Sequence, residues 1–273
     1  MPADFTRRLV RGEQPQLLVT VDGTDPSASG NAIAALQQAA TQALDRELSG
    51  PLAALRPDAP PYEVRLHRRY NPEGLSRYNI VPGLIGTILT MTMVMLTGLA
   101  MTRERERGTM ENLLATPVRP GEVMVGKILP YVAIGYVQLG VIMGAAWLLF
   151  EVPMEGSFTL LALMIGVFMV ANLAVGFTFS TLARNQLQAL QMAFFFFLPS
   201  LLLSGFMFPF RGMPRWAQHL GEVLPLTHFL RIVRGILLKG NTLPQVLPEL
   251  WPMLAFLLVA GVVALKRYRQ TLD

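Results

Sequence analysis

The chain offers few residues that could do chemistry, and most of them fail on spacing. Gly121-Glu122-Val123-Met124-Val125-Gly126-Lys127-Ile128 fits the G-x-x-x-x-G-K pattern of a phosphate-cradling loop. Ile128, however, stands where a Ser or Thr would hold magnesium, no strand signal precedes the motif, and an apolar run follows it directly. It is not an ATP site. His67, His219 and His228 are isolated, without the H-E-x-x-H spacing that puts two imidazoles on one helix face, and Ser204-Gly205 lacks the G-x-S-x-G elbow of a serine nucleophile. A lone histidine beside an apolar run is more often structural than a ligand. The absence of cysteine from all 273 residues excludes disulfides, thiolate metal sites and cysteine nucleophiles. No catalytic residue, bound cofactor or metal is expected on this chain.

One charged segment stands apart. Arg103-Glu104-Arg105-Glu106-Arg107-Gly108-Thr109-Met110-Glu111-Asn112-Leu113-Leu114-Ala115-Thr116-Pro117 joins two apolar runs. Thr109 has the hydroxyl of an N-cap, Glu111 falls in a first turn where the helix dipole favours an acid, and Pro117 forbids continuation. The result is a short helix presenting Met110, Leu113 and Leu114 beside alternating charges. Two readings stand: a solvated connector that anchors two helices at the lipid headgroups, or a docking element for a soluble partner. An apolar stripe rimmed by charge has the anatomy of an interface.

The elements that position this segment are apolar runs of membrane-spanning length. Val81–Met101 holds no ionisable residue, and a helix needs roughly 20 residues to cross the hydrocarbon core. Ile128–Phe150, Phe158–Leu182, Leu187–Phe210 and roughly Val246–Leu265 follow. Composition agrees: 52% of residues are hydrophobic and 15% charged, against about 25% charged in a soluble domain. The basic residues behind the net charge of +5 collect at span ends rather than on one face, so no nucleic-acid partner is expected. Met1–Gln14 carries Arg7, Arg8 and Arg11 but no apolar stretch after them, unlike a cleavable signal.

Ahead of the spans, Gln16–Val21 is a β-rich run stopped by Asp22, Gly23, Asp25 and Pro26. Ser29 is expected to cap an alanine-rich helix with Ile33, Leu36, Ala40, Leu44 and Leu48 on one face. After the Pro-rich Pro51–Pro61, Tyr62–His67 alternates like a half-buried strand. Two strands and one helix make too little core for a complete domain.

Between the last two runs, Met213–Leu224 is followed by Pro225–Leu238, which contains Arg231 and Arg234. Two central arginines cost about 2.5–3.5 kcal/mol each, which cancels what nine apolar residues return at about 0.3–0.6 each. An interfacial or re-entrant helix, capped by Thr227 and stopped at Gly240, fits better than a sixth span. Within the spans the polar residues are Gln138, Asn172, Gln191 and Ser204, which suit either interhelical packing or the lining of a pathway. No mid-span charge chain marks a proton-coupled pump.

These residues carry a resemblance. Tyr70-Asn71-Pro72, Ser76-Arg77-Tyr78, Val81-Pro82-Gly83, Arg103–Pro117, Gly126–Tyr131, Ser180–Ala183, Leu203–Pro209 and Leu224–Thr227 occur in an order that resembles the type-2 ABC export permeases. The nearest branch is bacterial, with a large extracytoplasmic domain between its first two spans. With the five apolar runs, the resemblance implies a membrane all-α bundle of five transmembrane helices plus a re-entrant helical hairpin. A partial extracytoplasmic α/β domain (1–78) would precede the permease domain (79–273). It implies a multi-pass protein of the bacterial inner membrane that dimerises with a second permease copy or homologue and exports drugs, lipids or other amphiphiles. ATP and magnesium would act through a separate cytoplasmic ATPase subunit. Membrane lipid and a periplasmic adaptor are further partners it suggests. The coupling segment would be Arg105, Glu106, Arg107, Gly108, Thr109, Met110, Glu111, Leu113, Leu114 and Pro117. Pro225, Thr227, Arg231 and Arg234 would mark the re-entrant helix.

Family members begin with a further span, so the chain reads as starting inside the extracytoplasmic domain, either from a truncated or misassigned start or as a genuine degenerate product. Charge counting and the resemblance disagree on orientation. Placing 103–127, 183–186 and the tail in the cytoplasm leaves fourteen of the 23 Lys and Arg outside. The rule is strongest for short loops, and Glu151–Ser157 carries two Glu and neither Lys nor Arg, which favours placing it outside. A different class of function, a non-transporting membrane scaffold or sensor with an extracytoplasmic binding domain, would show itself by the lack of a paired ATPase.

Overall fold

The computed structural model describes residues 4–11, 13–42, 62–107 and 120–270. Its contacts divide the chain into two compact units, Met1–Ser76 and Arg77–Asp273.

The first unit contains α1 (Phe5–Val10), β1 (Gln16–Asp22), α2 (Pro26–Gln42) and β2 (Glu63–Arg69). β1 and β2 pair in parallel, from Gln16 opposite Glu63 to Asp22 opposite Arg69. Both strands alternate exposed and half-buried residues, as a two-stranded ribbon covered on one face must. Leu17, Val19 and Val21 share the covered side with Val64 and Leu66, and the Tyr62 hydroxyl donates to the Ala40 carbonyl of α2 at 2.8 Å. Ser29 is not the cap of α2. The helix begins at Pro26, and the Asp25 carboxylate accepts from the backbone N–H groups of Ser27 and Ala28 at 3.1 and 3.2 Å. Pro26 presets the first helical φ and the acid fills the cap, so the hydroxyl three residues on sits inside the first turn, bonded to the Pro26 carbonyl.

Among the described residues the second unit has five helices long and apolar enough to cross a membrane: α3 (Arg77–Glu106), α4 (Pro120–Leu148), α5 (Phe158–Leu182), α6 (Gln186–Leu203) and α9 (Leu243–Gln270). α5 is apolar all round because it lies at the centre. Leu161, Met164, Ile165, Phe168, Met169, Leu173 and Phe177 are buried among α3, α8 and α9. α4 and α6 instead turn Val137, Val141, Trp147, Phe194 and Phe195 outward, the arrangement of helices whose outer face meets lipid or another membrane helix. α3 and α5 approach closely at Gly176, where an added Cβ would come within 2.6 Å of the Val94 carbonyl oxygen. The fourth run is shorter than its hydrophobicity implies: α6 stops at Leu203 and the chain leaves through a 3-10 turn at Phe210–Gly212.

Two short helices, α7 (Arg215–Val223) and α8 (Pro225–Lys239), occupy the interval before α9. Thr227 does not cap α8. Pro225 occupies its first turn, and the Thr227 hydroxyl donates to the Gly221 carbonyl of α7 at 2.6 Å, tying the two helices together. Gly240 does end it, in the left-handed conformation at φ 67° that glycine adopts without strain. α8 is not a surface-lying interfacial helix. Leu226, Phe229, Leu230, Ile232, Val233, Ile236 and Leu237 are all buried, and the Phe229 ring stacks on Phe168 with centroids 3.9 Å apart. Its C-terminal end meets the α4–α5 loop, where the Glu155 N–H donates to the Leu237 carbonyl at 3.0 Å. Its N-terminal half packs on Gly86 of α3 and Phe168 of α5. At 1.5 Å per residue those positions lie about 13–15 Å inside the bundle from the starts of α3 and α5. The same end of the bundle is marked by an ion pair of 3.2 Å between Arg77 and Glu151.

Candidate functional site

At the far end of α3 the charged segment begins with two tethers. Glu104 is ion-paired with Lys127 of α4, so the lysine of the discarded phosphate-loop pattern has a structural partner. Glu106 accepts from the Gln186 backbone N–H at 2.8 Å and from the Gln186 side-chain amide as well. Gln186 is the first residue of α6, next to its cap Asn185, whose side chain accepts from the Gln188 N–H at 2.8 Å. These bonds favour the ionised carboxylate and hold the Glu106 pKa below its ordinary value. Arg105 lies in the last turn of α3, and the Arg107 N–H closes that turn on the Arg103 carbonyl at 3.1 Å. Gly108, Thr109, Met110, Glu111, Leu113, Leu114 and Pro117 lie outside the described residues.

The four polar span residues are not gathered into one site. Gln138 of α4 accepts from the Thr92 hydroxyl of α3 at 3.0 Å, an interhelical bond. Asn172 is buried on α5 and donates to its own helix at the Phe168 carbonyl, 2.9 Å away; its carbonyl oxygen has no hydrogen-bond partner among the described residues. Ser204 is buried and donates to the Leu201 carbonyl at 3.2 Å, and Gln191 is exposed on α6. Among the described residues no hydrogen bond links any two of the four.

One polar cluster among the described residues is not revealed by spacing. His228, isolated in sequence, is buried where α7, α8 and α9 meet. Its Nδ1 lies 2.7 Å from Glu249 Oε2 on α9, and its Nε2 lies 2.8 Å from the Glu222 carbonyl oxygen on α7. One helical turn on, Arg231 takes both carboxylates. It donates to Glu222 Oε1 and Oε2 at 2.6 and 3.1 Å and to Glu249 Oε2 at 3.2 Å, while its guanidinium stands 4.7 Å over the Phe210 ring. Arg234 points its guanidinium toward the Gly205 carbonyl, at 3.4 Å. Of the two arginines that disqualify α8 as a span, Arg231 is thus balanced by acids from its neighbours, while Arg234 faces a backbone carbonyl. The sequence signal was weak: His228 and Arg231 sit three apart on one helix face, with a glutamate on the segment either side.

Five spanning helices, a charged α3 end tied to α4 and α6, and two short helices folded back before the last span give an architecture for comparison with known proteins. A family profile described as "ABC-2 family transporter protein" matches residues 1–266. This chain belongs to the ABC-2 family. It is 30% identical to the "Probable multidrug ABC transporter permease YbhR" of Escherichia coli (strain K12), over 98% of this chain and 72% of that protein. It is 30% identical to the "Inner membrane transport permease YhhJ" of the same strain, over 100% of this chain and 72% of that protein. Similarity to the "Linearmycin resistance permease protein LnrN" of Bacillus subtilis (strain 168) is lower, 23% over 72% of this chain and 51% of that protein. The ABC-2 membership and the five apolar helices make this a multi-pass membrane permease.

Proposed function

We propose that this ABC-2 chain is the transport subunit of an ATP-driven exporter of drugs, lipids or other amphiphiles. It works with a separate cytoplasmic ATPase subunit, through which ATP and magnesium act, and with a second permease copy or homologue. The observation that carries the reading is the double tether at the end of α3. Glu104 joins it to Lys127 of α4 and Glu106 joins it to Gln186 of α6, so a force delivered to the segment from Arg105 to Pro117 reaches three spans at once. That is what a docking element for a nucleotide-driven motor requires, and what a solvated connector does not.

The Glu106 end is cytoplasmic in this reading, in an inner membrane. The α4–α5 loop, α7, α8 and the unit Met1–Ser76 lie on the other side, where a periplasmic adaptor could reach that unit. A helix of 15 residues is too short to cross, yet α8 begins deep against Gly86 and Phe168 and ends at Gly240 beside the loop. This supports a re-entrant helix. The amphiphile reading is supported by relatives named for multidrug transport and linearmycin resistance and by the apolar outer surfaces of α4 and α6.

The test is purification with a candidate ATPase, followed by reconstitution in lipid vesicles with amphiphilic dyes. Stable co-purification, ATP hydrolysis that depends on this chain, and ATP-dependent dye movement are expected. A chain that binds no ATPase and moves no amphiphile would instead favour the scaffold or sensor.

A further inference from the structure

His228 faces two acceptors. A backbone carbonyl has no proton to give, so Nε2 must donate to Glu222 O at 2.8 Å. Nδ1 stands 2.7 Å from Glu249 Oε2, an oxygen that already accepts from the Arg231 guanidinium at 3.2 Å, and a carboxylate oxygen is an acceptor only. A neutral imidazole has one N–H. In either tautomer one ring nitrogen would turn its lone pair toward an oxygen lone pair at under 3 Å. Both contacts exist together only if the ring carries two protons.

Charge counting gives the same result. Glu222 and Glu249 bring two negative charges, Arg231 brings one positive, and the cluster is neutral only when His228 is charged. The four groups come from three helices: Glu222 from α7, His228 and Arg231 from α8, Glu249 from α9.

We propose that His228 is held as an imidazolium whose extra proton fastens α8 to α7 and α9, so that the joint between these helices loosens as pH rises. Burial works against that charge, but the hydrogen bonds and charges of Glu249 and Glu222 outweigh it and raise the His228 pKa above the ordinary histidine value. A raised pKa fixes the sign. The stabilisation is fully present below the pKa of the unfolded histidine and is lost as pH climbs through the higher folded value. Loss of the proton leaves a net negative cluster and frees one of the two contacts, on the helix that stacks Phe229 against Phe168 at the centre of the bundle. The joint is a proton-dependent hinge, distinct from the tethers at the Glu106 end.

The joint is tested on the whole purified chain in detergent, independently of transport or orientation. Histidine labelled with ¹⁵N, with His67→Gln and His219→Gln as background, leaves one imidazole to observe. The expected spectrum at pH 7 is that of an imidazolium, converting to a neutral ring only at higher pH. Glu249→Gln should move that conversion to lower pH. The melting temperature of the otherwise native chain should fall as pH rises through the conversion, and His228→Gln should flatten that slope. A neutral tautomer at pH 7, or an unchanged conversion in Glu249→Gln, overturns the proposal. The first measurement needs no change at His228, so misfolding of that variant cannot obscure it. In the proposed orientation the joint lies on the outer side and meets the pH outside the cell, which is tested separately. Vesicles with independently buffered compartments show which side's pH acts, and a response from the cytoplasmic side would reverse the orientation while leaving the joint intact.

Discussion

The carboxylate of Glu106, the last residue of α3, receives both the backbone and the side-chain N–H of Gln186, the first residue of α6. The two residues are 80 positions apart, and the bond joins the start of the charged segment to a helix that follows two further spans. Glu106 serves α6 as an added N-terminal acid beside the cap Asn185.

Glu106→Gln keeps the shape but removes the charge that two donors share. Membrane insertion should be unchanged, while ATP hydrolysis stimulated by this chain falls several-fold in reconstituted vesicles. Because the Glu106 pKa is lowered, its contribution is present above the ordinary carboxylate range and is lost only as pH falls through the folded value. The wild-type tether is therefore intact at neutral pH. Full stimulation by the Gln variant would separate Glu106 from coupling.

The segment beyond Glu106 is tested by charge. Glu111→Lys with Leu114→Asp places a cation in the first turn, and an acid in the apolar stripe, of the helix expected there from the sequence. Stimulation of the partner ATPase should be abolished with the chain still present in the membrane at normal level. Wild-type stimulation by this double variant would assign the segment to a solvated connector.

Gln138 and Thr92 separate packing from pathway. Their 3.0 Å bond links α3 to α4, and such bonds between membrane helices couple by about 0.6–1.7 kcal/mol. A double-mutant cycle of Thr92→Val and Gln138→Leu, read by unfolding in mixed detergent, should return coupling in that range with little change in which dyes are moved. Zero coupling together with an altered dye profile would make Gln138 a pathway residue.

The spans were legible because hydrophobicity and helical length coincide in a membrane protein. Phe158–Leu182 was bounded to the residue, since Ser157 precedes it with a capping hydroxyl and the apolar run ends where the helix ends. Leu187–Phe210 was not, because Phe206, Met207 and Phe208 stay apolar after the helix stops at Leu203, and hydrophobicity carries no signal for a helix end. Caps were misplaced wherever a proline had already set the backbone, at Pro26 ahead of Ser29 and at Pro225 ahead of Thr227. The His228 cluster was hidden for a different reason. Its members lie on three helices, 6 and 21 positions from the histidine, and meet only because α8 folds back between α7 and α9. Counting both arginines as a cost of insertion holds for an isolated helix and is incomplete here for Arg231, to which the neighbouring helices supply two glutamates.

Orientation is the last prediction. The loop Glu151–Ser157 has two acids and no base, and the tail carries Lys266, Arg267 and Arg269. By the short-loop form of the positive-inside rule the loop lies outside and the tail inside, although the total count of basic residues points the other way. The chain has no cysteine, so a single introduced thiol reports its own side without background. Ser157→Cys should react with a membrane-impermeant reagent in intact cells, whereas Thr116→Cys and Gln270→Cys should react only after lysis. Ser157 is also the N-cap of α5, where its hydroxyl accepts from the Leu160 N–H at 3.4 Å, a long bond whose loss costs little. The label therefore reads topology on an intact fold. Labelling of Gln270→Cys but not Ser157→Cys in intact cells would invert the bundle, place the His228 joint in the cytoplasm, and remove the Glu106 end from reach of any cytoplasmic ATPase.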